Sequence, residues 1–368
     1  MKLLNSNLSL NPTFKDANGP WLIDVKENQF FDCWLGSGTL IFGHEPLNLS
    51  PHHTTLLPEG PQHLEEIINL LSEACPFNPG GFGFQTSGSA AIHRACRIAR
   101  AITKKKKIAV FSHFWHGSDD SFLFSGPEKK QISLGIPLSS QAEIVWFNSI
   151  DDFLSQSHSE FAALIFEPYQ GSDPSIQTIK VTSELRSQLK EKNIILIADE
   201  VITGFRSQYG ASLPSREIIP DIIVFGKVIA GGFPCGVVAF NEEIEQRLSE
   251  KDFFWGGTFA ASPIQLNALK LNLIRLKSLD YSKIKENLTD LVAYLRDILI
   301  DSESEIKANS GFARIYYVKP STNEDLTSRG FRNKVDVTAP ELLIKNKIFI
   351  NRNGLIFPSI FNIRDCLK

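Results

Sequence analysis

The chain has no long hydrophobic run, no cysteine pairing pattern and no surplus of charge, and each absence removes a class of protein. No uninterrupted apolar stretch approaches the roughly 18 to 20 residues that cross a bilayer, so no membrane role is expected. The five cysteines, Cys33, Cys75, Cys96, Cys235 and Cys366, are an odd number without CxxC spacing, which argues against a disulfide framework. "MKLLNSNLSLNP" turns polar after two leucines and lacks the apolar core of a signal peptide; the expected location is cytoplasmic. A net charge of -3, with Lys and Arg scattered along the chain, gives no electrostatic case for nucleic acid or a membrane surface as partner. The one dense basic run, Lys104 to Lys107, reads as a solvated helix end. Internal repeats and low-complexity tracts are missing too. What remains, at 368 residues with 42% hydrophobic and 21% charged, is a globular chain long enough for one large domain and a smaller one.

What is present alternates. Short apolar runs rich in Ile, Val and Phe are separated by amphipathic segments, the pattern of an α/β fold. Strands are expected at Lys107 to Ser112, Glu143 to Phe147, Ala162 to Phe166, Ile194 to Ala198, Ile222 to Phe225 and Gly236 to Phe240. Most are apolar nearly throughout, as in a mostly parallel sheet flanked by helices on both faces. "AAIHRACRIARAIT" places Ala91, Ala95, Ile98, Ala99 and Ile102 on one stripe, with His93, Arg94, Arg97 and Arg100 away from it, which predicts a helix packed on that sheet. After about residue 265 longer amphipathic helices precede the strand-like "ARIYYV" and "KIFINRNGLIF". The expected division is residues 1–50 as an N-terminal segment packing on the small domain, 51–265 as a large cofactor-binding domain and 266–368 as a smaller α/β domain.

Several of these strands run into unusual chemistry. "IAVFSHFWHG" ends in Trp115, His116 and Gly117, "ALIFEPYQG" reaches Glu167, "IILIADE" reaches Asp199, and "DIIVFGKVIAGG" reaches Lys227 between glycines. Ligands of open α/β sheets sit at the carboxyl ends of strands, so an aromatic, two acids and a lysine are aimed at one place. Pyridoxal 5'-phosphate needs these groups. Its aldehyde needs an amine for a Schiff base, its pyridine nitrogen a carboxylate, and its phosphate backbone N–H donors. Lys227 supplies the amine and Asp199 the carboxylate, which favours the protonated pyridine. Ser87, Gly88 and Ser89 open the Ala-rich helix, where free N–H groups favour an anion, although the same stretch also reads as an ordinary N-cap. Trp115 suits one face of the ring and Val201 the other.

These motifs resemble those of the class III aminotransferases, of the pyridoxal-phosphate fold type I, and are similar to the glutamate-1-semialdehyde aminomutase branch. "TSGSAA" is similar to the family's phosphate loop, "FWHG" to its Y-H-G, "FEPYQG" to E-P-x-x-G, "DEVITGFR" to D-E-V-x-T-G-F-R and "GKVIAGGFPCG" to its lysine loop. "GPWLIDVKENQFFDCWLGSGTLIFGHEP" resembles the N-terminal segment ending in a turn with Gly43, His44 and Pro46. The resemblance implies that Lys227 is the Schiff-base lysine, Asp199 the pyridine partner and Trp115 the stacking aromatic. It further implies that Thr258 in "FFWGGTFAASP" reaches the phosphate of a neighbouring subunit, making the active unit a homodimer. There are departures: Ala90 where the phosphate loop has Glu, Trp115 where Tyr is usual, Ala230 where a glycine is usual. Ile202 replaces the Gln of many amine and ornithine transaminases, which moves the sequence toward the aminomutases.

The expected function is a ping-pong aminotransferase passing an amino group from a small amine or amino-acid donor to a ketone or aldehyde acceptor, with Lys227 as tether and proton shuttle. The alternative is intramolecular 2,1-amino transfer on glutamate-1-semialdehyde. The aminomutase run resembles P-S-x-F-E, whereas here it reads Pro358, Ser359, Ile360, Phe361, Asn362, without the acid to hold a diamine intermediate, so a separate amine donor is expected. A dinucleotide oxidoreductase lacks its G-x-G-x-x-G turn. A metal site is not expected, because His113 and His116 have no matching ligand set. A binding-only relative would have no need of Lys227 and Asp199.

Overall fold

A computed structural model describes residues 13–49, 64–125, 130–131, 133–137, 139–140, 143–156, 159–176, 183–213, 219–249, 252–317, 338–351 and 353–367. Three short strands come first, β1 (Phe14–Asn18), β2 (Trp21–Asp24) and β3 (Gln29–Asp32). The central body contains β4 (Pro79–Gln85), β5 (Lys107–Phe111), a two-stranded excursion of β6 (Phe124–Ser125) and β7 (Lys130–Gln131), then β8 (Ile144–Phe147), β9 (Phe161–Phe166), β10 (Ile195–Asp199), β11 (Ile222–Phe225) and β12 (Gly236–Asn241). The C-terminal part adds β13 (Glu305–Ala308), β14 (Ala313–Tyr316), β15 (Ile348–Phe349) and β16 (Leu355–Ile356).

Seven strands form the main sheet in the order β4-β12-β11-β10-β9-β5-β8. Only β12 runs against the rest, pairing antiparallel with both β11 and β4. The six expected strands are all present, within one residue at each end. Alternate residues of β10 and β11 show why they read as unbroken apolar runs. Ile195, Ile197, Ile222 and Val224 enter one core with the helix Gly88–Thr103, while Leu196, Ala198, Ile223 and Phe225 enter another with the helices on the opposite face. Each fully buried Leu or Ile is worth about 1.5–3 kcal/mol, so both faces stay covered.

One strand is unexpected. β4 reads "PGGFGFQ", and its glycines hide it in the sequence, yet close packing requires them. A Cβ on Gly80 would lie 2.6 Å from Glu245 Cβ, and one on Gly83 2.6 Å from the Trp255 ring. The helix Gly88–Thr103 also differs from expectation on one side. Arg94 is buried and donates Nη1 to the Phe254 carbonyl and Nη2 to that of Gly256, so it grips the 254–256 segment instead of facing solvent.

The N-terminal strands pair with the end of the chain, in the sheet order β1-β2-β3-β15. Phe31 and Cys33 share a core with Leu288, Leu291, Ile315 and Ile356. The helix Pro263–Lys277 packs elsewhere. Its Leu266, Leu269 and Leu273 lie in the core of the main sheet, because Gln265 donates to Gln85 O (2.7 Å) and Pro234 O (3.1 Å), and Asn272 to Val228 O (2.5 Å). Core packing of the large body therefore continues past residue 265, and we place the division of the chain nearer residue 280. The other expected boundary adjoins residues 50–63, which lie outside the described residues, as does the N-terminal dodecapeptide. Among the described residues, no helix is long and apolar enough to cross a membrane.

Candidate active site

The lysine turn forms where β11 ends. Gly226 is extended, and Lys227 opens a short 3₁₀ turn, Lys227–Ala230, with φ +48°. A non-glycine residue held there costs on the order of 1–3 kcal/mol, offset by surroundings that fix the turn. Asn272 takes the Val228 carbonyl, and Gly231 (φ +56°) ends the turn where a Cβ would lie 2.9 Å from Asn272 Oδ1. Burial lowers the Lys227 ammonium to about 8; the charges of Asp199 and Glu167 oppose that shift and the charge of Arg206 adds to it.

Asp199 ends β10. Its Oδ2 lies 2.8 Å from His116 Nδ1, a distance at which the imidazole N–H donates to the carboxylate, and its Oδ1 accepts from Val201 N (3.1 Å). One oxygen thus makes a local bond, while the other makes a contact 83 positions away. His116 is buried edge-on to Phe114 and Phe122, and its Nε2 has no partner in the structure. Glu167, also buried, accepts from Trp115 N at 3.3 Å. Burial holds its carboxyl well above the usual range, and the Asp199 charge pushes the same way.

Glycines let the strand ends converge. A Cβ on Gly88 would lie 2.8 Å from Val201 Cγ1, and one on Gly226 would lie 3.2 Å from the same atom and 3.5 Å from Gly88 Cα. The Val201 side chain thus crosses both glycines at the start of the helix and beside Lys227. Gly117 has φ +101°, and a Cβ there would meet Ser89 Oγ at 2.5 Å. Closure at this point lets Ser118 N donate to Ser89 Oγ (3.2 Å). Ser87 Oγ accepts from Ala90 N (3.1 Å) and is the N-cap of a 16-residue helix. The cap reading of this loop is realised, and the positive helix end beside it still suits an anion. Trp115 is partly buried and packs on the same core as Val201.

Lys227, Asp199, His116, Glu167, Val201, Gly88, Ser89 and Trp115 are therefore linked by contacts or charge interactions into one neighbourhood. Thr258 is not. It is exposed, between Phe254 (70% exposed) and Phe259 (63% exposed), without a hydrogen bond to another described residue.

Sequence reasoning missed Arg206. It is one of the largest fully buried side chains in the protein, donating Nε to Ile202 O (3.1 Å) and Nη2 to Gly38 O. Gly38 closes a left-handed turn in which Leu35, Gly36, Ser37 and Gly38 have φ of +50°, +60°, +62° and +80°. Asp32 anchors that turn by accepting from Trp34 N (2.8 Å) and Leu35 N (3.0 Å), and its other oxygen lies 2.9 Å from His44 Nε2. An arginine within the apolar "DEVITGFR" run was the available signal.

The residues fit pyridoxal phosphate: a shielded amine of lowered basicity, a buried carboxylate braced by histidine, and glycines where a Cβ would fill the space beside them. The family model for class III aminotransferases matches residues 6–311. Glutamate-1-semialdehyde 2,1-aminomutase of Methanosphaera stadtmanae is 29% identical over 357 residues, covering 91% of this chain and 84% of that protein. The protein of the same name from Saccharolobus islandicus is 32% identical over 351 residues, covering 91% and 82%. In shape the chain is similar to a transaminase with PLP bound (TM-score 0.79, 20% identity, 97% of this chain and 88% of the other). It is equally similar to a glutamate-1-semialdehyde aminomutase from Pseudomonas aeruginosa (TM-score 0.79, 18% identity, 95% and 83%). The fold is fold type I α/β, and the cofactor is pyridoxal phosphate.

Proposed function

We propose that this chain, which belongs to the class III aminotransferase family, moves an amino group between adjacent carbons of one small amino aldehyde, the reaction type named for its aminomutase relatives. The relatives' names carry that choice, with identities of 29–32% over 91% of the chain. They weigh toward the reading held as the alternative from sequence. In such a reaction the amine on carbon 2 and the carbonyl on carbon 1 exchange places, with no separate donor.

Bound pyridoxal phosphate supplies an aldehyde that carries nitrogen and a ring that withdraws electrons from the substrate carbon. Lys227 holds the cofactor through Nζ until substrate arrives. Freed, the same nitrogen takes a proton from the amine-bearing carbon and returns it on the other side of the exchange, which requires a neutral amine; a value of about 8 suits that task. Asp199 would face the pyridine nitrogen, and His116 fixes its orientation by the 2.8 Å contact. Trp115 and Val201 would flank the ring and shield it from water. Glu167, accepting from Trp115 N, holds the segment that carries Trp115 and His116. The helix start at Ser87, Gly88 and Ser89 would hold the phosphate, and Thr258, exposed in one chain, would complete that site in a second copy of a homodimer.

One observation favours the two-substrate reaction. Asn362 donates to Asn287 Oδ1 (3.1 Å) and Asp290 Oδ2 (2.8 Å) and accepts from Arg364 N (2.9 Å). Those contacts commit it to packing, leaving no acid from that position for a diamine. Glutamate-1-semialdehyde offered alone separates the readings. Stoichiometric 5-aminolevulinate without a donor supports the intramolecular reaction; turnover only with an added amine donor, with release of its keto product, supports the other. Borohydride reduction followed by peptide mapping checks that the cofactor is held at Lys227.

A further inference from the structure

Arg206 is a buried cation without a counter-ion. Among the described residues no carboxylate pairs with it. Its hydrogen bonds go to two carbonyls, its guanidinium lies 4.7 Å from the centre of the Phe357 ring, and Nη1 has no partner at all. Taking a guanidinium out of water costs several kcal/mol unless a charge compensates it, so retaining one unpaired calls for an explanation.

The protein makes room for this residue deliberately. A Cβ on Gly38 would lie 2.6 Å from Arg206 Nη2 and 2.7 Å from Phe357, and one on Gly311 would lie 2.7 Å from Arg206 Cβ. Three distant pieces of chain, the left-handed turn Leu35–Gly38, Gly311 and Phe357, thus close around one arginine. The turn that receives its Nη2 also packs against the Lys227–Ala230 turn. A substituted hydrocarbon of the same size would fill the space without the desolvation cost.

We propose that Arg206 is a positioning residue that acts through Lys227, its un-neutralised charge holding the lysine as the neutral amine that proton transfer requires. This rests on Lys227 being the reactive lysine. The ionisable groups facing Lys227 are Asp199, Glu167 and Arg206, and Tyr281 faces Arg206 from the helix Tyr281–Ile298. Asp199 and, more weakly, Glu167 favour the ammonium. Arg206 is the one nearby charge that opposes them. Desolvation acts in the same direction, and the Arg206 charge adds to it.

The test reads Lys227 directly in cofactor-free protein, by reductive methylation with ¹³C-formaldehyde and NMR titration of its resonance, assigned with K227A. R206Q keeps hydrogen bonds to the carbonyls and loses the charge; R206K keeps the charge. The expected result is a wild-type midpoint well below that of the surface lysines, a rise of about one pH unit in R206Q, and a midpoint near wild type in R206K. If R206Q does not fold, F357E, which sets a carboxylate against the guanidinium, is expected to give the same rise. An ordinary wild-type midpoint overturns the proposal, as does an unmoved midpoint in the folded neutral or neutralised variant. The acid limb of the holoenzyme pH profile should move upward with the same variants. Borohydride labelling at a residue other than Lys227 would sink the underlying reading instead.

Discussion

The turn that carries Lys227 and the turn that receives Arg206 pack against each other, yet buried charge is handled differently on the two sides. On the lysine side acids have partners: Asp199 meets His116 at 2.8 Å and Val201 N at 3.1 Å, and Glu167 meets Trp115 N. On the arginine side the cation meets only carbonyls and an aromatic face. Paired groups hold a geometry, whereas an unpaired charge projects a field. The first arrangement suits gripping a cofactor and the second suits tuning it.

The largest expected effect lies on the paired side. K227A is expected to lower turnover by about 10³-fold or more, since it removes both the tether and the proton carrier, with circular dichroism and unfolding still cooperative. Activity near wild type would remove the lysine from the chemistry and leave the comparison without its first member. D199N should follow, with a loss of about 10²-fold, because the amide keeps the shape and removes the charge. A change below threefold, measured as kcat with saturating cofactor, would reduce Asp199 to the local bond it makes with Val201 N.

These two residues were legible in the sequence because each stands at the end of an unbroken apolar run, a local pattern. The phosphate-side serines and glycines preceded an Ala-rich stripe and were visible for the same reason. Arg206 was not, because Gly38, which accepts its Nη2, is 168 positions away, and no local pattern encodes that contact. β4 stayed hidden because "PGGFGFQ" has the glycine content of a loop; only the helix and the Trp255 ring packed on it explain the missing side chains. The boundary expected near 265 is hard to read for a related reason. The helix Pro263–Lys277 buries the polar Gln265 and Asn272 while leaving Ile274 exposed, so its sequence does not announce which face it buries or which body it joins.

Glu200 links the two sides and gives a pH test. Its carboxyl accepts from Ser212 N (2.7 Å), Ser212 Oγ (2.6 Å) and Thr203 Oγ1, and so holds the loop that carries Arg206. Burial outweighs those donors and raises it from 4.5 to about 7. Because the folded state binds this proton more tightly, the contribution to stability is full below 4.5 and is lost as pH rises through about 7. Thermal unfolding of wild type relative to E200Q should therefore show a relative decline of the wild type across that window. A pH-independent difference would mean that Glu200 is ionised throughout and pairs like the other acids of the site.

The smallest effect on activity is expected at Asn362. If the position supplied a substrate contact, N362D would create an acid for an ammonium group and strengthen donor-independent conversion. The observed contacts argue otherwise. Asp there would face Asp290 Oδ2 and Asn287 Oδ1 without the Nδ2–H that now bonds both, a loss of about 1–3 kcal/mol, while still accepting from Arg364 N at the start of the helix Ile363–Cys366. N362D should thus lower the unfolding midpoint and change kcat/KM by less than threefold, with the ratio of donor-independent to donor-dependent turnover unmoved. A tenfold rise in that ratio would place Asn362 at the substrate.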